Sequence, residues 1–113
     1  MSLDISTDTV ANALVVSLRG RLDTLTAPEA ERLLGALIDA GEHRMVLDLS
    51  ALAYVSSAGL RTFLSTAKRL AKVQGKLAVC AVQPVVHDLF IISGLDGVLT
   101  IVNTQLDAIA ELI

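Results

Sequence analysis

The feature that most constrains this sequence is a regular alternation of short, β-prone apolar runs with longer stretches of helical spacing. Met45 to Leu49 and Lys76 to Val82 are two such runs, and a stretch of helix length follows each of them. Strands that alternate with helices of this length form layered α/β structures with right-handed crossovers and a largely parallel sheet. The sequence therefore predicts an α/β fold with a mixed, mostly parallel sheet of about five strands and about four helices.

Apolar periodicity and helix start and stop residues place the individual elements. The predicted strands cover residues 3–7, 14–22, 45–49, 76–82 and 98–102, and the first two form an antiparallel hairpin around Asn12. The predicted helices run from Thr26 to Gly41, over 57–74 with Gly75 closing the helix, over 84–93 and from Leu106 to the C terminus. Thr26 and Glu29 match a capping box at the start of the first helix. In the last helix, the predicted core-facing stripe is Leu106, Ile109, Ala110 and Ile113.

Length and composition narrow the class of protein. We expect residues 1–113 to form a single domain, because 53% apolar residues are enough for one compact core. No apolar run approaches the roughly 18 residues of a membrane span, and no secretion signal opens the chain, so a cytoplasmic protein without a membrane partner is expected. A net charge of −3, with no tryptophan, one tyrosine and two phenylalanines, argues against nucleic acid as a partner. Cys80 is expected to be a buried apolar residue.

Charge is unevenly distributed along the chain. Residues 49–87 contain five bases and no acid, whereas residues 88–113 contain four acids and no base. The simplest interpretation of this cationic segment is a solvated helix face whose bases pair with acidic neighbours.

Two serines, Ser56 and Ser57, stand between the third predicted strand and the second predicted helix. Functional groups collect at such joins, because helix N-termini offer unpaired amides and a partial positive charge. One hydroxyl is expected to cap the helix, and capping alone would account for both serines. Gly59, however, costs about 1 kcal/mol relative to alanine in a first helical turn, which predicts a close approach to the backbone there. These features together favour an exposed serine at this join as a docking point for a protein kinase.

The segment around these serines resembles a known family. Asp48 to Leu60 reads DLSALAYVSSAGL, with Gly20-Arg21-Leu22-Asp23 before it and Ser93-Gly94-Leu95 after it, and the whole is similar to the STAS domain of bacterial anti-sigma factor antagonists. The resemblance covers nearly the whole chain. It implies that an anti-sigma factor serine kinase phosphorylates Ser57 and that a metal-dependent serine phosphatase removes the phosphate. The unphosphorylated protein is then expected to bind the kinase and free its sigma factor or an equivalent regulator.

The resemblance also suggests a partner-binding surface. Its expected residues are Asp23, Thr24, Ser56, Ser57, Ala58, Gly59, Leu60 and Arg61. The chain departs from the best-known family pattern at Ser56, where an aspartate often stands, and at Ala58, where a second serine is common. Ser56 is therefore an alternative phosphate acceptor, but Ser57 matches better by position. Asp23 has a second interpretation, as an acceptor of backbone amides in the turn before Thr26.

Other functional classes lack their required residues. A receiver domain with Asp48 as its phosphate acceptor would need a hydroxyl after the fourth strand and a lysine after the fifth. The sequence has neither residue at these places. No enzyme is predicted, because Ser57 has no evident base. His43 and His87 have no ligand pattern around them, and no nucleotide-binding loop is present, so neither metal nor cofactor is expected. A STAS regulatory subunit of a lipid-transport, secretion or stress-signalling assembly stays open, as does a weak homodimer.

Overall fold

A computed structural model describes residues 2–112 as five strands, four α-helices and one short 3₁₀ turn at Leu95–Gly97. The strands are β1 (Leu3–Val10), β2 (Ala13–Leu22), β3 (Arg44–Val55), β4 (Lys76–Cys80) and β5 (Thr100–Val102). The helices are α1 (Ala27–Asp39), α2 (Ser57–Lys72), α3 (Pro84–Ser93) and α4 (Gln105–Glu111). The α/β class and the numbers of strands and helices are confirmed.

The strands form one mixed sheet in the order β1-β2-β3-β4-β5. β1 and β2 pair antiparallel, and the other three pairings are parallel, as predicted. Ala11 and Asn12 connect the first two strands with φ angles of 50° and 68°. Two successive left-handed residues match the twist of a tight hairpin, and asparagine tolerates that conformation well.

The sheet is covered by helices on both faces. On one face, α1, α2 and α3 pack on the main core, in which Phe63 and Phe90 meet edge to face with their ring centroids 5.3 Å apart. On the other face, α4 covers a smaller cluster that includes Val15, Val46 and Cys80. Since successive side chains of a strand point to opposite faces, the continuous apolar runs of β2 and β3 supply both cores.

β3 continues six residues beyond the predicted end at Leu49, to Val55. Two register shifts against β2 each insert one extra residue into β3. The buried side chains Leu49, Leu52 and Val55 are therefore three residues apart instead of two. Such bulges keep one face of a strand on the core while they break its two-residue period, which explains why the extension was not recognised in the sequence.

Two predictions about helix ends were wrong in detail. The capping box of α1 does not form: Thr26 makes no side-chain cap bond, and Glu29 instead accepts a hydrogen bond from Arg32. At the end of α2, Gln74 and not Gly75 takes the left-handed conformation, with φ of 55°. Gly75 is required for space, because a Cβ there would lie 2.7 Å from the carbonyl oxygen of His43.

α4 turns a different face to the sheet from the one predicted. Ala108, Ile109 and Leu112 are buried, whereas Leu106 is 79% exposed and Ala110 is also exposed. Ile113 lies outside the described residues. Ile109 of the predicted stripe is buried as expected. The inward face differs because the side-chain amide of Gln105 donates to Asp48 of β3, so the face that carries Gln105, Ala108, Ile109 and Leu112 lies against the sheet.

We expect the two leucines of this region to differ strongly in their effect on stability. Leu112→Ala removes a side chain that is 3% exposed and should lower the free energy of unfolding by about 2 to 3 kcal/mol. Leu106→Ala is the matched control and should stay within about 0.5 kcal/mol of the parent. Urea unfolding followed by circular dichroism measures both variants. A larger loss for Leu106→Ala would mean that α4 packs on its other face.

Candidate functional site

The candidate site lies where β2 and β3 end and α2 begins. β3 ends at Val55, and Ser56 follows as the N-cap of α2. The amide of Ser56 donates to the carbonyl oxygen of Leu22 at 2.9 Å. This bond holds the start of α2 against the end of β2 and brings it beside the turn that carries Asp23.

The two serines have different surroundings. The Ser56 hydroxyl oxygen accepts a hydrogen bond from the amide of Gly59 at 3.4 Å, and the residue is half-buried. Ser57 is the first residue of α2 and is exposed. Within residues 2–112, its hydroxyl takes part in no side-chain hydrogen bond. Of the two serines, Ser56 is therefore the helix cap, and Ser57 has the hydroxyl that a partner protein can reach.

Gly59 is buried, and its backbone faces the interior of the protein. A Cβ at this position would lie 2.6 Å from the carbonyl oxygen of Leu22 and 2.8 Å from Cγ1 of Val55. The close approach that the sequence predicted is thus made by the protein's own β2 and β3. The expectation that a partner contacts a bare backbone at Gly59 does not fit this burial.

Asp23 is engaged within its own turn. Its Oδ1 accepts the amides of Leu25 at 3.0 Å and Thr26 at 3.1 Å. The Thr26 hydroxyl donates to the carbonyl oxygen of Arg21 at 2.8 Å and accepts the amide of Asp23 at 2.9 Å. The bond from the Thr26 amide, supported by that from Leu25, lowers the pKa of the Asp23 carboxyl below its ordinary value, although partial desolvation opposes the shift. The turn-forming role considered for Asp23 is therefore present.

Three further residues of this region were missed in the sequence. The Arg21 guanidinium lies over the Tyr54 ring, 4.1 Å from its centroid, and the Arg21 Nε is 3.6 Å from Oδ2 of Asp23. Leu25, at the tip of the turn, is 89% exposed. An isolated leucine between two threonines in a predicted turn was the one available signal for Leu25. The pairing of Arg21 with Tyr54 depends on the bulges of β3, so no local pattern indicated it.

The predicted partner-binding residues divide by exposure. Thr24, Ser57 and Arg61 are exposed, and Gly59 is buried. The other four residues, Asp23, Ser56, Ala58 and Leu60, are half-buried. The structure thus brings the turn and the first turn of α2 together, and it leaves three of the eight side chains widely open to contact.

Cys80 and Asp48, two titratable residues outside this region, are held in structural roles by the fold. In residues 2–112, no group of three or more histidine, cysteine or acidic residues is placed to hold a metal ion. Burial, with a contribution from the charge of Asp48, raises the pKa of the Cys80 thiol to about 11. Asp48 accepts the amide of Ser50 and the side-chain amide of Gln105, so its carboxylate links β3 to the start of α4. No helix within the described residues has both the length and the apolar character to cross a membrane.

Comparison with known proteins identifies the family. A family model described as STAS domain matches residues 4–108. The chain belongs to the STAS domain family. BtrV of Bordetella bronchiseptica, provisionally named an anti-sigma factor antagonist, is 39% identical over 103 residues, which cover 91% of this chain and 89% of that protein. The resemblance inferred from the central motif is confirmed.

Solved structures agree with this assignment. An anti-sigma factor antagonist from Mycobacterium paratuberculosis has a TM-score of 0.89 to this chain at 30% identity, covering 98% of this chain and 94% of that one. The Bacillus cell fate determinant SpoIIAA in its phosphorylated form has a TM-score of 0.75 at 20% identity, covering 97% and 100%. At 20% identity the second match shows the fold alone, and it confirms the mixed sheet with its helices as a STAS fold.

We expect Gly59→Ala to destabilise the protein although alanine favours helices. The new Cβ would collide with the backbone oxygen of Leu22, which the sheet holds in place, so the free energy of unfolding should fall by about 1 to 3 kcal/mol. Gly97→Ala is the matched control, because nothing lies within 4 Å of its Cβ position. Urea unfolding measures both. Equal stability of the two variants would show that α2 can move away from β2.

The depressed pKa of Asp23 gives a prediction about acid stability. The folded state binds the proton of this carboxyl less readily than the unfolded state does, so its stabilising contribution is complete above the ordinary pKa and is lost as pH falls through the folded pKa. Asp23→Asn, which keeps an acceptor oxygen, should therefore lose stability less steeply than wild type as pH falls. Urea midpoints across this pH range, with an NMR titration of the Asp23 carboxyl, measure the effect. Identical slopes for the two proteins would contradict it.

Proposed function

We propose that this chain is an anti-sigma factor antagonist that acts as a partner switch controlled by phosphorylation at Ser57. In this proposal the unphosphorylated protein binds an anti-sigma factor serine kinase and frees the sigma factor, or an equivalent regulator, that the kinase holds. The kinase ends the interaction by transferring phosphate to Ser57, and a metal-dependent serine phosphatase restores the binding form. The observation that carries the proposal is the exposed hydroxyl of Ser57 at the first residue of α2.

The difference between the two serines supports Ser57 as the acceptor. The hydroxyl of Ser56 is half-buried and serves as the helix cap, so modification there would remove the cap of α2. A cap of this kind contributes about 1 kcal/mol. Ser57 is exposed, and a kinase reaches its hydroxyl without unfolding any part of the chain. The family relationship adds that SpoIIAA, which shares this fold, has been solved in a phosphorylated form.

The protein's own fold tolerates a phosphate at Ser57. A phosphoserine carries about −1.5 to −2 charges and three acceptor oxygens. At a helix N-terminus the macrodipole favours an anion by about 0.3 to 1 kcal/mol. Arg61, exposed and four residues further along α2, is at the spacing at which opposite charges attract by about 0.2 to 0.5 kcal/mol. Phosphorylation should therefore leave the domain folded.

A partner that closes over Ser57 meets the opposite situation. A surface shaped for a neutral hydroxyl would have to desolvate the phosphate, and a buried charge without a partner costs several kcal/mol. Because about 1.4 kcal/mol changes affinity tenfold, one phosphate is enough to abolish a micromolar complex. The switch works through this difference: the phosphate costs little folding free energy in the free protein, whereas it costs several kcal/mol of binding free energy in the complex.

The neighbouring turn completes the surface in this proposal. Thr24 and Leu25 project beside the start of α2 from a turn that Asp23 and Thr26 hold rigid. Leu25, 89% exposed, supplies apolar surface that the serines lack, and covering it with a partner would remove that surface from water. Asp23 acts here mainly by holding the turn, and Gly59 by letting α2 pack on β2. Neither of these two residues needs to touch the partner.

The first experiment determines which of the two serines accepts the phosphate. When the protein is incubated with a candidate anti-sigma serine kinase and ATP, mass spectrometry should find one phosphate on wild type and on Ser56→Asn, and none on Ser57→Ala. Asparagine is used at position 56 because it keeps the cap without a hydroxyl. Phosphate that persists on Ser57→Ala and disappears from Ser56→Asn would move the acceptor to Ser56.

Binding of the same kinase is then compared for Ser57→Asp and Ser57→Asn. The two side chains have nearly the same shape and differ in charge, so the aspartate variant should bind at least about a hundredfold more weakly by calorimetry. Circular dichroism should show that both variants are folded. Equal affinities would remove the electrostatic basis of the switch.

A further inference from the structure

The helix that begins at Ser57 carries a line of positive charge on its exposed side. At 100° per residue, Ser57, Arg61, Lys68 and Lys72 fall within a sector about 60° wide, and they extend over about 22 Å of α2. All four residues are exposed. The buried residues of this helix, including Phe63 and Leu70, lie on the opposite side. We refer to these four exposed residues as the α2 stripe.

The positive charges of the α2 stripe are not neutralised by the protein itself. Within residues 2–112, the ion pairs join Arg21 to Asp23, Arg32 to Glu29 and Arg69 to Asp39. Of the five bases in residues 49–87, only Arg69 therefore has an acidic partner. The interpretation of this segment as a helix face paired with acidic neighbours fails for Arg61, Lys68 and Lys72.

A shallow groove of about 400 Å³ runs beside the α2 stripe. Leu64, Ser65 and Arg69 line it together with the three stripe cations, and Glu31 is the acid among its lining residues. The guanidinium of Arg69 lies across the backbone of α1 at Gly35, where a side chain would displace it. The groove thus combines four cations with a half-buried leucine, a surface that is complementary to an acidic segment with some apolar character.

We infer that the α2 stripe is the docking surface for an acidic segment of the partner protein, and that phosphorylation weakens this attraction at its first residue. The inference rests on the proposed function for the identity of the partner. A protein is favoured over a nucleic acid because the net charge is −3, both phenylalanines are buried, and one face of the Tyr54 ring is covered by Arg21. Single-strand binders stack bases on exposed aromatic rings, and the α2 stripe contains no aromatic residue.

The stripe gives phosphorylation a second effect besides blocking close contact. A phosphate of about −1.5 to −2 charges at Ser57 reduces the stripe from three positive charges to about one. Charge complementarity outside the centre of an interface acts mainly on the association rate. Phosphorylated protein should therefore meet its partner more slowly, in addition to dissociating faster.

The test uses a peptide of about seven glutamates, whose extended length of about 23 to 25 Å matches the stripe. It is titrated by NMR at about 0.1 M salt, where the Debye length of about 10 Å is shorter than the 31 × 26 × 23 Å dimensions of the protein. Amide shifts should concentrate in residues 57–72, and Lys68→Gln/Lys72→Gln should weaken binding about tenfold. Arg44→Gln/Lys76→Gln is the matched control: it removes the same charge from two exposed residues paired across β3 and β4, and it should change affinity less than about twofold.

Three outcomes would overturn the inference. Equal weakening in the two double variants would mean that the peptide responds to net charge and not to the stripe. Tighter binding of an oligonucleotide of equal charge would make the surface a nucleic-acid site, and an absence of shifts in α2 would mean that it is no docking surface. Because the titration needs neither kinase nor ATP, the stripe and the phosphorylation of Ser57 are tested separately and can fail separately.

Discussion

The contact between the start of α2 and the end of β2 is the constraint on which the rest of the site depends. The carbonyl oxygen of Leu22 accepts the amide of Ser56 and lies so close to Gly59 that no side chain fits between them. β2 is itself hydrogen-bonded to β1 on one side and to β3 on the other. Its end is therefore fixed by the sheet, and the first residue of α2, Ser57, is held where the sheet places it.

The turn beside Ser57 depends on the same strand end. The carbonyl oxygen of Arg21 accepts the Thr26 hydroxyl, and Asp23 closes the turn by accepting two amides. Both halves of the candidate surface are thus bonded to neighbouring backbone atoms of β2, and little ordering is left to be done when a partner binds. Preorganisation of this kind lowers the entropic cost of association, and it lets a charge added at Ser57 act on the partner without first rearranging the domain.

The sequence was informative where one periodicity extends through an element and less so where two parts of the chain meet. The helical spacing of α2 and the β2 hairpin were predicted, but the bulges of β3 broke the two-residue period and concealed the extension to Val55. The conformational cost of Gly59 correctly indicated a close approach. Its direction, towards Leu22 and not towards a partner, depends on a contact 37 residues away in the chain. For the same reason, nothing in the sequence paired Arg21 with Tyr54.

The helical period of α2 places the residues that stabilise the domain and the residues of its proposed control on opposite sides of one helix. Buried residues such as Gly59 and Phe63 lie on the side of α2 that packs on the sheet. Ser57 and the stripe cations lie on the opposite side and are exposed to solvent. The phosphate proposed for Ser57 would lie on the exposed side of α2, where the helix N-terminus favours an anion and its cost to folding is small. It would also lie at the end of a row of positive charges without acidic partners, where it would weaken the attraction for an approaching acidic surface. One helix thus separates the energetics of folding from those of recognition, which a reversible switch requires.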